Sequence, residues 1–193
     1  MVSVNSTMLP LGTVAPPFAL PDPSGHVHRL DDLATGASAL LVVFLSNHCP
    51  YVKHVADQLA ALSRAWIDRG VAVVGIMSND VDGYPDDHPD RMAEESAARG
   101  YRFPYLYDET QAVAHTYRAA CTPDFFLFDG SRRLVYRGQF DDARPRNDEP
   151  VTGADLAAAV DAILAGDTVP EPHQPSMGCN IKWRAGNEPD YFG

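Results

Sequence analysis

A buried strand that runs directly into a helix, followed at once by a second buried strand, constrains this chain more than any other feature. The segment ALLVVFL is an apolar run rich in branched residues, which is typical of a central strand buried on both faces. From Pro50 to Trp66 apolar residues recur at three- and four-residue steps, and Gly70 follows, as at the end of an amphipathic helix. VAVVGIM supplies the second strand. This order predicts the crossover unit of a parallel sheet.

The segments around this unit predict one mixed sheet. Near the start of the chain, Pro-Asp-Pro-Ser-Gly separates two short alternating stretches, which predicts an N-terminal β-hairpin. The later runs FFLFD and RLVYRG are joined by Asp-Gly-Ser, a tight-turn sequence between antiparallel strands. A helix capped by Thr152 or Asp155 follows them. We therefore predict an α/β chain with a three-layer α/β/α fold and a mixed sheet.

Two polar segments are predicted to lack regular structure. The acidic stretch SNDVDGYPDDHPD is predicted to be a solvated loop at the sheet edge where parallel strands end. Beyond Gly166 the chain becomes rich in proline and glycine, which predicts an irregular tail. Residues 1–166 are therefore assigned to one domain, and residues 167–193 to a C-terminal tail that packs on it.

An excess of negative charge excludes several classes of partner. The 193 residues carry a formal net charge of -11, which would repel nucleic acid and anionic membrane surfaces. The longest apolar run is much shorter than the roughly 20 residues that a membrane helix needs. The first residues lack the basic and apolar regions of a secretory signal, so we expect a cytoplasmic protein with neither nucleic acid nor membrane as a partner.

Cys49 is the candidate reactive group because it lies where the first strand meets the helix. Backbone N–H groups at a helix start have no partner within the helix, and the positive end of the helix dipole lowers the pKa of a thiol placed there. A protonated His48 would help, and Pro50 is well suited to the first helical position. The sequence therefore predicts a thiolate at Cys49.

The other two cysteines, Cys121 and Cys179, are far from Cys49 in sequence, which does not match the disulfide framework of a small secreted fold. His48 and His54 flank Cys49, but no C-x-x-C or H-E-x-x-H spacing occurs, so we expect no metal site. No glycine-rich phosphate loop is present, and we expect no cofactor. A redox-active thiol is the chemistry that the residues favour.

Three segments, SNHCPYVKH, TPDFFLFD and GCNIKWRAGNEPDYF, resemble the redoxin branch of the alkyl hydroperoxide reductase and thiol-specific antioxidant superfamily. The N-terminal APPFALPDPSG is also similar to that superfamily, so the resemblance covers nearly the whole chain. It implies a thioredoxin-like fold and a thiol-based oxidoreductase. It further implies a thiol or disulfide substrate, with thioredoxin or glutathione as a candidate reductant.

The resemblance places Cys49 at the nucleophile position and Pro123 at the cis-proline that precedes a core strand. It implies that this turn brings Thr122 and Asp124 against the cysteine and exposes a backbone edge for a peptide or thiol substrate. Tyr51, in the first turn of the helix, is a candidate to line the substrate groove. Thr122, Pro123 and Asp124 are therefore expected to shape the site.

The chain also departs from both family patterns. Thioredoxins carry C-x-x-C, whereas Val52 stands at the second cysteine position, and Val43 stands where thioredoxins hold a buried acid. Peroxiredoxins carry the pattern P-x-x-x-T-x-x-C. In this chain Val42 stands in place of the proline, and Ser46 partly replaces the threonine hydroxyl. Pro123 stands about where the activating arginine would be. Both mechanisms are incomplete, and the peroxidase mechanism more so.

Oxidised Cys49 must therefore be resolved by another thiol. Cys179 in the tail is slightly favoured, Cys121 is a geometric candidate near Pro123, and an external thiol is a third option. The first functional hypothesis is thiol–disulfide exchange through Cys49. The second is a thiol-dependent peroxidase in which Ser46 contacts the peroxide, and the third is a non-catalytic binding or redox-sensor protein.

Overall fold

The computed structural model describes residues 3–192. Its strands and helices are, in chain order, β1 (Ser3–Asn5), β2 (Ala19–Pro21), β3 (Val27–Arg29), α1 (Leu30–Leu33), β4 (Ala39–Phe44), α2 (Pro50–Asp68), β5 (Val71–Met77), α3 (Pro89–Arg99), β6 (Tyr105–Tyr107), α4 (Ala112–Tyr117), β7 (Cys121–Thr122), β8 (Asp124–Asp129), β9 (Leu134–Gly138), α5 (Ala154–Ala165) and β10 (Met177–Asn180). A single 3₁₀ turn spans Pro85–Asp87.

The central sheet has five strands in the order β6-β5-β4-β8-β9. β4, β5 and β6 are parallel neighbours, whereas β8 runs antiparallel to both β4 and β9. The predicted crossover unit is β4, α2 and β5, and the predicted hairpins are β2–β3 and β8–β9. The sheet is therefore mixed, as the sequence predicted.

Two apolar clusters lie on opposite faces of this sheet, because successive side chains of a strand point to opposite sides. On β4, Leu41 and Val43 pack with α2, α3 and α5, while Leu40, Val42 and Phe44 pack with α1, α4 and the N-terminal hairpin. Helices on both faces give the three layers. None of the helices within residues 3–192 is long and apolar enough to cross a membrane.

The prediction of an irregular tail is wrong for Met177–Asn180. These residues form β10, the middle strand of a second, antiparallel sheet with the order β1-β10-β7. β1 was not predicted from the sequence either. Both strands are short, and β10 contains a glycine and a cysteine rather than an alternating apolar pattern, so only pairing in the folded chain stabilises them.

The start of α5 also differs from the prediction. The N-cap is Gly153, with a φ of 68°, rather than Thr152 or Asp155, although the Thr152 hydroxyl accepts a hydrogen bond from the Ala154 amide at 3.2 Å. The backbone N–H groups of Thr152 and Gly153 instead donate to the carboxylate of Asp141, at 2.7 and 2.6 Å. A buried carboxylate from a neighbouring loop thus supplies the anion that favours a helix start.

Candidate active site

Cys49 is the N-cap residue of α2, at the point where the chain leaves the buried strand β4. Pro50 occupies the first turn, and the carbonyl of Cys49 accepts a hydrogen bond from the Lys53 amide at 2.9 Å. The Cys49 side chain is 0% exposed. The structure therefore places this thiol at the helix start, as predicted, but beneath the surface.

The tail strand β10 brings Cys179 against Cys49. In the β10–β7 ladder Cys179 lies opposite Thr122, and the two sulfur atoms of Cys49 and Cys179 are 2.9 Å apart. The Cys49 sulfur also lies 3.1 Å from the carbonyl oxygen of Thr122. The Thr122–Pro123 peptide bond is cis. The structure thus brings together two cysteines that are 130 positions apart in sequence.

Cys121 points away from this pair. It precedes Thr122 on β7, so its side chain projects to the opposite face of the strand. Its sulfur contacts the carbonyl oxygens of Pro123 at 3.5 Å and Ser176 at 3.9 Å. Burial raises its pKa well above the usual range, and the charge of Asp124 adds to the rise. The buried surroundings of Cys121 therefore disfavour its thiolate form.

The two paired sulfurs have opposite pKa shifts. Burial opposes ionisation of Cys49, but the hydrogen bond from the Cys179 thiol is the main cause that outweighs it, and the pKa is lowered to about 6. The backbone amide of Val52, in the first turn of α2, adds to this stabilisation. Donating that hydrogen bond raises the pKa of Cys179, and burial raises it further. These shifts favour the thiolate form at Cys49 and the thiol form at Cys179.

Replacing Cys179 should therefore raise the pKa of Cys49. We expect the thiolate absorbance near 240 nm to titrate with a midpoint of about 6 in the reduced protein, and substantially higher in Cys179→Ala, which removes the hydrogen-bond donor. Cys121→Ala is the control, because the Cys121 sulfur contacts the carbonyl oxygens of Pro123 and Ser176 instead. A midpoint unchanged in Cys179→Ala would contradict this assignment.

Asp87 is the centre of a buried hydrogen-bond network beside the strand–helix junction, and its side chain is 0% exposed. Its carboxylate accepts hydrogen bonds from the backbone N–H groups of Asn47 and His48, at 2.6 and 3.3 Å. His48 Nδ1 and Asn79 Nδ2 both lie 2.7 Å from it. The Ser46 hydroxyl donates to it at 3.1 Å. Asp87 therefore holds the turn that positions Cys49.

This network corrects the prediction that the acidic stretch is a wholly solvated loop. Burial opposes ionisation of Asp87, but hydrogen bonds from His48 and Asn79 outweigh it and keep its pKa below the usual value. The polar run Ser46–Asn47–His48 at the end of an apolar strand was the available signal, because buried polar groups require partners. The sequence could not identify which aspartate turns inward.

The network also changes the roles expected for Ser46 and His48. The Ser46 hydroxyl is buried and bonded to Asp87, so it does not face an opening where a peroxide could bind. The His48 ring stacks on Tyr84, with centroids 5.2 Å apart, and its Nδ1 faces Asp87. Both side chains brace the turn before Cys49.

Asp124 is likewise an interior residue. It is 0% exposed, and its carboxylate accepts a hydrogen bond from the Ala120 amide at 3.2 Å. Burial raises its pKa to about 7, although hydrogen bonds from Ser6 and backbone amides oppose the rise. Asp124 is therefore buried in the protein interior and does not form part of an exposed surface that a substrate could contact.

A small groove of about 20 Å³ is lined by Tyr51, Pro123, Phe140, Arg144 and Met177, among others, and neither Cys49 nor Cys179 lines it. The role of Tyr51 toward substrate stays a prediction. Within residues 3–192, no three His, Cys, Asp or Glu side chains are grouped as ligands of a metal ion would be.

Sequence comparison identifies the family of this chain. The sequence profile of the AhpC/TSA family matches residues 11–137. The chain belongs to the AhpC/TSA family. The family resemblance is thereby confirmed.

Individual relatives agree with this assignment. A hypothetical protein from Sinorhizobium meliloti 1021 is 52% identical, with a TM-score of 0.92 over 94% of this chain and 99% of that one. Thiol-disulfide oxidoreductase ResA of Geobacillus kaustophilus is 26% identical over 125 residues, 65% of this chain and 67% of that protein. The thioredoxin domain of a Bacteroides vulgatus thiol-disulfide oxidoreductase is 18% identical, with a TM-score of 0.58 over 77% of this chain and 97% of that one. The thioredoxin-like fold is confirmed.

Proposed function

We propose that this AhpC/TSA family protein is a thiol–disulfide oxidoreductase whose working pair is Cys49 and Cys179. The observation that carries the proposal is the 2.9 Å separation of the two sulfurs at the start of α2. A disulfide requires sulfurs about 2.05 Å apart, so the pair can bond after a small approach. The tail thus supplies the partner that Val52 cannot supply in the helix.

In this mechanism the Cys49 thiolate attacks one sulfur of a substrate disulfide and releases the other as a thiolate. Cys49 is then joined to the substrate as a mixed disulfide. Cys179 loses its proton to the released thiolate and attacks the Cys49 sulfur, which expels the second substrate sulfur as a thiolate that takes a proton from water. Overall, one substrate disulfide is reduced to two thiols, and the protein dithiol is oxidised to the Cys49–Cys179 disulfide.

The pKa shifts suit this order of steps. In the resting dithiol, Cys179 is held in the thiol form by donating a hydrogen bond to the Cys49 thiolate and by the negative charge of that thiolate. Both effects vanish when Cys49 is joined to the substrate. Lys182, which lowers the pKa of Cys179, then acts without that opposition. Formation of the mixed disulfide therefore activates the resolving thiol.

The family and the named relative support an oxidoreductase. The Ser46 hydroxyl donates to Asp87, which argues against its predicted contact with a peroxide. An external thiol-type reductant, such as thioredoxin or glutathione, would return the oxidised pair to the dithiol. A cytoplasmic location stays a prediction from the sequence.

The proposal is tested by oxidising the reduced protein with one equivalent of oxidised glutathione or of hydrogen peroxide. Free thiols are then alkylated, and the peptides are mapped by mass. We expect wild type and Cys121→Ser to form the Cys49–Cys179 disulfide, Cys179→Ser to stop at a glutathione adduct on Cys49, and Cys49→Ser to remain reduced at Cys179.

Other results would contradict the role of Cys179 or favour a different function. A disulfide that joins Cys49 to Cys121 would contradict the role of Cys179. Oxidation by peroxide faster than by glutathione disulfide would favour the peroxidase. Absence of any modification at Cys49 with either reagent would favour a binding or sensor protein.

A further inference from the structure

The tail strand β10 occupies the backbone edge beside Cys49. The sequence resemblance implied that the Thr122–Pro123 turn exposes this edge to a substrate, but Thr122 pairs with Cys179 of β10 instead. On its other side β10 pairs with β1. An extended peptide adds to a sheet only where a strand edge is free. The expectation of an exposed edge is therefore wrong for this arrangement, in which the chain itself fills that place.

Cys179 also fills the position that a reacting sulfur of the substrate needs. Its sulfur lies 2.9 Å from the Cys49 sulfur, and the two residues are 2% and 0% exposed, respectively. Thiol–disulfide exchange begins when the thiolate contacts a substrate sulfur directly. The groove lined by Tyr51 includes neither cysteine, so it does not lead to the pair. A substrate disulfide therefore cannot reach Cys49 until the Cys179 sulfur moves away.

The strand β10 is held mainly through its backbone rather than through buried side chains. Met177 is 38% exposed, Gly178 has no side chain, and Asn180 is half-buried. Cys179 is the buried side chain of the strand, whereas all six residues of β4 are buried. Segments with few buried apolar contacts open locally at a lower free-energy cost than the core does. We therefore expect β10 to leave its sheet while the central sheet stays folded.

Two polar contacts anchor the chain on either side of β10. Before the strand, the Ser176 hydroxyl donates to the carbonyl of Pro123 at 2.6 Å. After it, the Lys182 amide donates to Asn79 Oδ1 at 2.8 Å, and Asn79 is in turn bonded to the buried Asp87. The Ser176 hydroxyl is therefore the anchor that can be removed without disturbing either the cysteine pair or the Asp87 network.

We propose that β10 is a movable strap over the active site, and that it must leave Thr122 before a substrate disulfide can react with Cys49. This inference rests on the proposed function and adds an opening step to it. With the strap open, the Cys49 thiolate attacks the substrate disulfide, forms the mixed disulfide and releases one thiolate. With the strap closed again, Cys179 loses its proton to that thiolate, attacks the Cys49 sulfur and expels the second substrate sulfur as a thiolate. The two chemical steps therefore require opposite positions of β10.

The test measures how fast iodoacetamide alkylates Cys49 in the reduced protein, followed by peptide mass at about pH 9 so that changes in thiolate fraction contribute little. Amide hydrogen exchange of β10 is measured in the same variants. Ser176→Ala removes the anchor to Pro123. Gly178→Ala loosens the strand further, because its Cβ would lie 2.0 Å from the Thr122 carbonyl oxygen. Ser131→Ala, at an exposed serine in the turn between β8 and β9, is the matched control.

We expect Ser176→Ala to raise the alkylation rate of Cys49 about five-fold, the equivalent of one neutral hydrogen bond, and Gly178→Ala to raise it more. Amide exchange of β10 should rise by the same factor, because one opening exposes both the amides and the sulfur. Ser131→Ala should match wild type. An alkylation rate that is unchanged in both variants, or that rises without faster exchange of β10, would overturn the inference.

These outcomes are distinguishable from failure of the proposed function. If oxidation of the wild type yields the Cys49–Cys179 disulfide but neither variant changes the alkylation rate, the strap is wrong and the redox pair stands. If alkylation and exchange rise together but no oxidant yields that disulfide, β10 controls access to Cys49 and the proposed function fails.

Discussion

Gly178→Ala should slow formation of the Cys49–Cys179 disulfide about 100-fold, the cost of misplacing a reacting group by about 1 Å. A Cβ at position 178 would lie 2.0 Å from the carbonyl oxygen of Thr122 and 2.6 Å from its carbonyl carbon. Both atoms belong to the backbone, so β10 must move away from β7. Cys179, the next residue, would move with it.

The measurement is the rate of intramolecular disulfide formation after Cys49 has been converted to its glutathione adduct. Gly83→Ala is the control, because its Cβ meets only the flexible Asp80 carboxylate, at 3.1 Å. Ser176→Ala is a milder second variant that removes the hydrogen bond to Pro123 without adding bulk. Its rate should fall between those of Gly83→Ala and Gly178→Ala. Wild-type rates in both Gly178→Ala and Ser176→Ala would show that β10 does not position Cys179.

Asp87→Ala should lower the free energy of unfolding by about 3–5 kcal/mol, as expected when one partner is removed from a buried charged network. The deletion leaves the amides of Asn47 and His48 and the side chain of Asn79 without their acceptor. Buried donors without partners are costly. Asn47 and His48 directly precede Cys49, and Asn79 anchors the tail through Lys182. Removing the Asp87 carboxylate should therefore also slow formation of the Cys49–Cys179 disulfide.

Urea denaturation at pH 7 measures this effect. Asp86→Ala is the matched control, since Asp86 carries the same charge on an exposed side chain one position away. The pKa of Asp87 is lower in the folded protein than in the unfolded chain. Its contribution is therefore complete above the unfolded pKa of about 4 and is lost as the pH falls through the folded value. The difference between wild type and Asp87→Ala should shrink below pH 4, and a constant difference would argue against an ionised Asp87.

Local patterns determined a large part of the fold. β4 and β5 are continuous apolar runs, and α2 has apolar residues at helical spacing. Each of these signals lies within its own segment, so the crossover unit could be predicted without the rest of the chain. The hairpins depend on short turn sequences, which are local too. The same local logic placed Cys49 at a helix start and indicated a thiolate there.

The tertiary structure decided which groups surround that thiolate. β10 has no pattern of its own, and its pairing with β1 and β7 joins segments that are far apart in the chain, which sequence periodicity does not record. The choice of Cys179 over Cys121 follows from the alternation of side chains along β7, once the register is known.

Asp87 is a second example of a contact that the tertiary structure decides and the sequence does not show. Its sequence neighbours are polar, and only the fold shows that it turns inward to accept hydrogen bonds from the segment before Cys49. The sequence by itself determined the layers, the position of Cys49 at a helix start and the family resemblance, because these depend on short segments. The tertiary structure alone decided which thiol contacts Cys49 and which carboxylate holds the turn before it, because only long-range folding brings these residues together.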